Sequence, residues 1–195
     1  MGLGGAPGEY ADYEWFDLAE LPDDVVRVGP DPLSDALREL VRGYPVWAGQ
    51  GATRVLLVDL DNLRAGPARL RARLAVVLDL ARQADRVALA GQVGAVARSR
   101  PWLEEFADRA QAVPDGADVA DLALLAAARE VPDPVEFVVV SNDGIFADLA
   151  ERGDLTLLSP GVDALSDRLH GEASLLVDLA ALETEAAAGL VRASR

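Results

Sequence analysis

Apolar residues occur along this chain in continuous runs that alternate with segments of helical spacing. The continuous runs, each typical of a buried strand, are TRVLLVD from Thr53, DRVALAG from Asp85, VEFVVVS from Val135 and DLTLLS from Asp154. Helices are predicted in the segments 34–44, 66–84, 100–113, 116–130, 143–152, 162–170 and 172–191. Strands that alternate with helices predict an α/β fold with a mostly parallel central sheet.

The same pattern divides the chain into three parts. Residues 1–33 are rich in glycine, proline and acidic residues, which predicts an acidic, poorly ordered arm. Residues 34–172 are predicted to form the α/β domain with a leading helix. Residues 173–195 are predicted to form a C-terminal helix that packs on the domain or against a partner. A protein partner or a homo-oligomer is therefore expected through this helix or through the acidic arm.

Composition restricts the class of protein and the type of metal site. Apolar residues make up 51% of the 195 residues, which is enough for a sizeable core. No apolar run reaches the length of a membrane span and the N-terminus lacks a signal-peptide pattern, so a soluble, cytoplasmic protein is expected. The absence of cysteine excludes thiolate ligands, and the single His170 excludes a multi-histidine zinc centre. Any metal must be held by oxygen, which favours Mg²⁺ or Mn²⁺.

The charge balance bears on a nucleic-acid partner. The formal net charge is −15, and all 18 basic residues are arginines. Proteins that bind nucleic acid usually present a basic surface to the phosphates. The overall charge therefore lowers the expectation of a nucleic-acid partner, although a local arginine patch is compatible with it.

Two predicted strands end in clusters of acid and amide residues. Asp59 and Asn62 end the stretch VLLVDLDN, and FVVVSND ends in Ser141, Asn142 and Asp143. In an open parallel sheet, ligands bind beyond the carboxyl ends of the strands. Both clusters are therefore expected at the edge of the sheet where a ligand binds.

A third group of carboxylates lies in the predicted helix GADVADLALL. Asp118 and Asp121 are about one turn apart there and face the same side. If this helix begins beside the strand ends, its carboxylates converge with Asp59 and Asp143. Converging carboxylates repel one another unless a divalent cation neutralises them. The pattern indicates a metal site that acidifies a bound water and polarises a phosphodiester.

Several of these residues also have a purely structural interpretation. Asp118 and Asp143 are suited to capping the helices that follow them, and Asp61 and Asn62 are common turn residues. Only the combination of clusters favours a metal site over ordinary caps and turns.

The order of these motifs resembles the NYN branch of the PIN-like nuclease superfamily over roughly residues 53–170. Asp59 and Asn62 match its Asp-x-x-Asn pattern after the first strand, and Asp121 and Leu124 match its helical Asp followed three residues later by Leu. Its Ser-Gly-Asp-x-x-Phe pattern after a later strand is matched by Ser141, Asn142, Asp143 and Phe146.

The resemblance implies a three-layer α/β/α sandwich and Mg²⁺- or Mn²⁺-dependent cleavage of RNA. Asp118 would be a substitute or fourth ligand, and Asn62 and Ser141 would orient water or phosphate by hydrogen bonds. The implied metal ligands are Asp59, Asp118, Asp121 and Asp143.

Two departures from the family pattern leave a second interpretation open. Family members often carry another Asp where this chain has Ile145, and a Lys near the helical Asp, whereas this chain has no lysine. Because a lost ligand weakens metal binding, a catalytically degenerate module that binds RNA or protein is an alternative. Asp118 is the candidate replacement for the missing carboxylate.

The stretch VLLVDLDNL also resembles the first motif of haloacid-dehalogenase-like phosphatases, a strand ending in Asp-x-Asp. This second resemblance implies Asp59 as the nucleophile and Asp61 as the general acid, with Ser141 in the second motif. The basic residue and paired acids that should follow do not form a convincing strand-end pattern. The phosphatase is therefore the less favoured alternative.

Three arginines are candidates for contacts with RNA phosphates. Arg64 directly follows the first motif, whereas Arg98 and Arg100 lie beside Trp102, an aromatic residue suited to stacking on a base. A solvated helix start would explain Arg98 and Arg100 equally well.

Overall fold

A computed structural model describes residues 31–47, 49 and 51–193, so residues 1–30 of the predicted arm lie outside the described residues. The strands of this part are β1 (Thr53–Asp59), β2 (Arg86–Gln92), β3 (Ala110–Val113), β4 (Val135–Val140), β5 (Gly153–Ser159) and β6 (Leu175–Asp178). The α-helices are α1 (Pro32–Arg42), α2 (Pro67–Ala81), α3 (Val93–Ser99), α4 (Val119–Arg129), α5 (Asp167–Glu172) and α6 (Leu179–Ala193). The 3₁₀ helices are Arg100–Trp102, Glu104–Arg109, Gly144–Glu151 and Val162–Ala164. None of the helices in this part is long and apolar enough to cross a membrane.

The strands form a single sheet in which every pairing is parallel, in the order β3-β2-β1-β4-β5-β6. Helices cover both faces, so the predicted α/β/α sandwich with a mostly parallel sheet is confirmed. The strand order reverses between β1 and β4, which are neighbours in the sheet although β2 and β3 separate them in the sequence. Such a reversal creates a crevice beyond the carboxyl ends of the two strands, where ligands bind in open α/β sheets.

Side chains of β1 alternate between two cores. Leu56 and Val58 face a core shared with α1, α2 and α6, whereas Val55 and Leu57 face a core shared with α4. β4 is buried along its whole length and β1 along most of it, which explains why both are continuous apolar runs. Burial on both faces fixes the register of these strands and hence the position of their carboxyl ends.

Four predicted helices differ from the structure. Segment 162–170 is divided between the 3₁₀ helix Val162–Ala164 and the start of α5. Segment 100–113 contains two 3₁₀ helices and the strand β3, and segment 172–191 contains the strand β6 before α6 begins. Both strands are four residues long and pair with a neighbouring strand, β2 or β5 respectively. Four residues are the shortest run in which a strand period can be recognised, so the local sequence gives little indication of these two strands. Segment 143–152 forms a 3₁₀ helix instead of an α-helix.

The C-terminal helix α6 packs on the domain beside α1, through the buried residues Leu179, Leu182 and Ala186. Glu183 on the same helix forms a buried ion pair with Arg73 of α2. Of the two placements predicted for this helix, the structure contains the one on the domain.

Candidate metal centre

β1 ends at Asp59, which is only 2% exposed. Its carboxylate accepts hydrogen bonds from the backbone amides of Asp61 (2.9 Å) and Asn62 (3.3 Å). It also accepts from the side-chain amide of Asn62 and from the hydroxyl of Ser141 (3.1 Å). A carboxylate offers about four lone-pair positions, so these donors hold Asp59 in one orientation.

Ser141 joins the carboxyl ends of β1 and β4. It is fully buried, and its hydroxyl donates to Asp59 while accepting from the backbone amide of Asp143 at 3.2 Å. Asp143 in turn accepts a hydrogen bond from the backbone amide of Ile145 at 3.0 Å and so caps the 3₁₀ helix that follows. The capping interpretation is therefore correct for one oxygen of Asp143, and the second oxygen is left for other contacts.

The start of α4 brings two more carboxylates to this edge. Asp118 occupies the N-cap position, but its side chain makes no capping hydrogen bond, so the structural interpretation of Asp118 is reduced to the interaction of its charge with the helix dipole. Its backbone is left-handed, with φ 59° and ψ 6°, a conformation that Asp adopts more readily than most residues. Asp121 is 8% exposed, and its Oδ1 atom has no hydrogen-bond partner among the described residues. A buried oxygen without a donor is unfavourable, and a cation would satisfy it.

Asp118, Asp121 and Asp143 form a compact group in which one carboxylate oxygen of each lies within 4.8 Å of the others. Oxygens that bind one Mg²⁺ at about 2.1 Å lie roughly 3–4 Å apart, so modest side-chain rotations would place all three on one ion. Asp59 lies close enough for its charge to act on Asp121. The structure thus brings three of the four predicted ligands into one compact group, which does not include Asp59. Asp59, the most buried of the four, lies beside Asp121.

The proximity of these carboxylates changes their proton affinity. Burial raises the pKa of Asp121 to about 7, and the negative charges of Asp59, Asp143 and Asp118 add to the effect. Burial also raises the pKa of Asp59, although the hydrogen bonds from Asn62, Asp61 and Ser141 oppose this. Without a cation, the cluster therefore retains a proton into the neutral range.

We expect the metal-free protein to lose stability as the pH rises from about 4 to about 7. In this window the unfolded chain has lost the proton of Asp121, whose ordinary pKa is 3.8, while the folded protein still holds it. Because the folded state binds more protons in this window, a rising pH favours unfolding. The stability contributed by protonated Asp121 is complete below pH ~4 and lost above pH ~7. Its size is on the order of 2 kcal/mol, given about 1.4 kcal/mol for each tenfold change in proton affinity and some solvent screening.

Urea unfolding in EDTA at about pH 5 and about pH 7.5 measures this pH dependence. Asp121→Asn should flatten it, whereas Asp154→Asn, which changes an exposed carboxylate at the start of β5, should leave it unchanged. A wild-type protein that is equally stable at both pH values would contradict the expectation.

Asp61 has a larger structural role than that of a turn residue. Its carboxylate accepts a hydrogen bond from the backbone amide of Gln92 at 2.8 Å, which links the loop after β1 to the end of β2. The two chain segments approach closely there, because a Cβ atom on Gly91 would lie 2.9 Å from the Cβ atom of Leu60. The side chain of Asp61 is thus directed to the end of β2.

Asn142 has a role that its place in the motif did not indicate. Its amide nitrogen donates to the carbonyl of Gly161 at 2.9 Å, and its side-chain oxygen accepts from the hydroxyl of Ser159 at 2.7 Å. These bonds tie the end of β4 to the loop after β5. The one indication of this role in the sequence is that Asn, which both donates and accepts hydrogen bonds, stands where the NYN pattern has Gly.

The predicted RNA-contacting arginines differ in their surroundings. Arg64 is exposed and Arg98 is half-buried, and neither makes a hydrogen bond or ion pair within the described part of the chain. Arg100 forms an ion pair of 2.7 Å with an aspartate of the following 3₁₀ helix. The guanidinium of Arg71 in α2 lies 5.1 Å from the ring centre of Trp102. One face of that ring is therefore already covered.

Comparison with known proteins assigns no family to the chain. No protein-family model matches it, and no curated protein matches it. The function is therefore inferred from the residues at the sheet edge and from their geometry.

Proposed function

We propose that this protein is a ribonuclease of the NYN type that cleaves RNA phosphodiester bonds with Mg²⁺ or Mn²⁺ as its cofactor. The observation that carries the proposal is the meeting of carboxylates from three chain segments at the switch point between β1 and β4. Those carboxylates belong to Asp59, Asp118, Asp121 and Asp143. Their order along the chain is the order on which the NYN resemblance rests.

The residues at this edge fit a divalent cation. Carboxylate oxygens are the ligands that Mg²⁺ and Mn²⁺ prefer, and the buried Oδ1 atom of Asp121 has no donor among the described residues. Asp118, Asp121 and Asp143 would hold the cation, and Asp59 is the fourth carboxylate beside them. When bound, the cation would neutralise the cluster, acidify a water molecule and polarise a phosphoryl oxygen.

Asn62 and Ser141 are assigned to positioning Asp59. Both donate to its carboxylate, and the hydroxyl of Ser141 is too deeply buried to reach a substrate. For the buried Ser141 this assignment replaces the expectation of a direct contact with water or phosphate, whereas the half-buried Asn62 keeps that proposed role as well. By fixing Asp59, they hold its negative charge against Asp121 and so favour cation binding over an empty cluster.

The proposed substrate is RNA, and arginines without a partner in the described part of the chain support it in part. Arg64 follows the turn that holds Asp59, and it has no partner in the described residues, so its charge is available to a phosphate. The charge of Arg98 is available for the same reason, whereas Arg100 would first have to break its ion pair with Asp108.

A catalytically degenerate module is the second candidate, and Ile145 is the observation that favours it. Its half-buried side chain packs against the core on the α4 face, at the position where the NYN pattern often has a further carboxylate. Asp118 is the compensating carboxylate, because it lies in the compact group with Asp121 and Asp143. If Asp118 does not compensate, the site binds RNA without cutting it.

The phosphatase alternative receives less support. A nucleophilic Asp59 would need an exposed oxygen, but the residue is 2% exposed and its carboxylate accepts four hydrogen bonds. The proposed general acid, Asp61, instead accepts a hydrogen bond from Gln92 at the end of β2.

Cleavage of labelled single-stranded and hairpin RNA in Mn²⁺, Mg²⁺ or EDTA tests the proposal. We expect cleavage only with the cation, and Asp143→Asn should lower the rate about 100-fold or more, because it removes a ligand itself. The matched control is Asp154→Asn, which removes an exposed carboxylate at the amino end of β5 and should change the rate less than about twofold.

The other outcomes separate the candidates. A folded protein that binds the RNA but does not cut it with either cation identifies the degenerate module. Hydrolysis of a small phosphate ester, with a phosphoryl group trapped on Asp59, would identify the phosphatase and refute the ribonuclease.

A further inference from the structure

The start of α5 packs directly against the loop that carries Asp143. The backbone amide of Ser166 donates to the carbonyl of Asn142 at 3.1 Å. A Cβ atom on Gly144 would lie 2.5 Å from the hydroxyl of Ser166 and 4.0 Å from the Cβ atom of Arg168. The side chain of Arg168 therefore begins beside the residue that follows Asp143.

Within the described residues, the guanidinium of Arg168 is held only by an exposed contact. It forms an ion pair with Asp148 of the 3₁₀ helix after β4, and the two side chains are 60% and 63% exposed. Exposed ion pairs contribute about 0–1 kcal/mol, so a stronger acceptor can displace Asp148. A phosphate is such an acceptor, because its oxygens match the planar fork of an arginine in a bidentate contact.

We propose that Arg168 is a phosphate-binding residue of the acidic site, which exchanges Asp148 for a phosphate of a nucleotide strand lying across Asp143. The proposal rests on the proposed function, because it assigns to Arg168 a contact with the RNA that the acidic site is proposed to cleave. The four clustered aspartates repel phosphate when they are not fully neutralised. The guanidinium of Arg168, on the α5 side, offsets that repulsion. Arg64 supplies positive charge after β1.

The affinity for a fluorescein-labelled oligouridine, measured by fluorescence anisotropy in Ca²⁺, tests this assignment. Arg168→Gln should weaken binding about three- to tenfold and reduce the slope of log K against log salt concentration by about 0.7, the value for one phosphate contact on a single strand. A purely structural role for Arg168 would not change the salt dependence.

Arg129→Gln is the matched control. It makes the same charge change at an exposed position in the last turn of α4, about 12 Å along the helix from Asp121. It should leave both the affinity and the salt slope unchanged. Thermal stabilisation by Mn²⁺ should be equal in the wild type and in both arginine variants, since none of these changes removes a carboxylate.

Asp148→Asn gives a test of opposite sign. It releases Arg168 from its exposed ion pair, so RNA binding should tighten about twofold, and this gain should vanish in the Arg168→Gln background. A gain that persists without Arg168 would overturn the proposed exchange of partners.

Failure of this inference is distinguishable from failure of the proposed function. If the wild type binds and cuts RNA while Arg168→Gln has the affinity and salt slope of Arg129→Gln, only the role of Arg168 is overturned. If Mn²⁺ does not stabilise the wild type and the protein neither binds nor cuts RNA, both proposals are overturned.

Discussion

Asp121→Asn is expected to remove the stabilisation of the protein by Mn²⁺ or Mg²⁺ and to lower metal-dependent RNA cleavage about 100-fold or more. Asp121 is the most buried member of the compact group of Asp118, Asp121 and Asp143, and the only one of the three with a buried oxygen lacking a donor in the described residues. An amide in its place keeps the shape of the side chain but supplies no negative charge to a cation.

The same substitution should raise the stability of the metal-free protein at about pH 8, by roughly 1–2 kcal/mol. Burial and three neighbouring carboxylates make the ionised form of Asp121 unfavourable in the folded state, which is why its pKa is raised to about 7. Asn does not ionise and can donate to a neighbouring carboxylate. Asp121→Asn should thus stabilise the metal-free protein and remove the stabilisation by the cation. This combination identifies a residue that is retained for ligand binding at a cost in stability.

Thermal unfolding in EDTA and in Mn²⁺ measures both effects. The wild type should melt at a higher temperature in Mn²⁺ than in EDTA, whereas Asp121→Asn should melt at nearly the same temperature in both. Asp154→Asn, the control on the opposite edge of the sheet, should respond to Mn²⁺ as the wild type does. An Asp121→Asn protein that keeps the full Mn²⁺ response would rule out Asp121 as a ligand.

The parallel sheet and the meeting of the carboxylates were predictable for the same physical reason. β1 and β4 are buried on both faces, so their sequences are continuous apolar runs whose ends are easy to locate. In a parallel sheet these ends share one edge, which places Asp59 and Asp143 together without knowledge of any distance. The resemblance to the NYN family stays a prediction, which the sheet topology accommodates but does not test.

Features that depend on contacts between distant segments were not predictable. β3 and β6 are short strands whose stability comes from pairing with β2 and β5, so their four residues carry little signal. The contact of Asp61 with Gln92 depends on how closely the ends of β1 and β2 approach.

The buried ion pair between Arg73 of α2 and Glu183 of α6 is the clearest example of such a distant contact. The two residues are 110 positions apart, and their side chains are 6% and 2% exposed. The contact is bidentate: Nη2 of Arg73 lies 3.0 Å from Oε2 of Glu183, and its Nε atom donates to Oε1. A glutamate in a predicted C-terminal helix is normally assigned to the solvent face, and only the packing of α6 shows otherwise.

Arg73→Met is expected to destabilise the protein by about 3–5 kcal/mol, because it leaves the Glu183 carboxylate buried without a counter-charge. The double variant Arg73→Met/Glu183→Leu should recover most of that loss, since it removes both charges and keeps apolar volume between α2 and α6. Urea unfolding with unchanged m-values measures the three free energies. A single variant that loses less than about 1 kcal/mol would show that water reaches Glu183.

If the double variant is as stable as the wild type, the ion pair contributes little net stability and serves to select one packing of α6. A helix whose buried face is otherwise leucine and alanine can slide along α1 and α2 at small cost, whereas a bidentate pair is satisfied at a single position. The face of α6 that carries Glu183 is then committed to the domain. Any partner of the C-terminal helix would have to bind its remaining, exposed face.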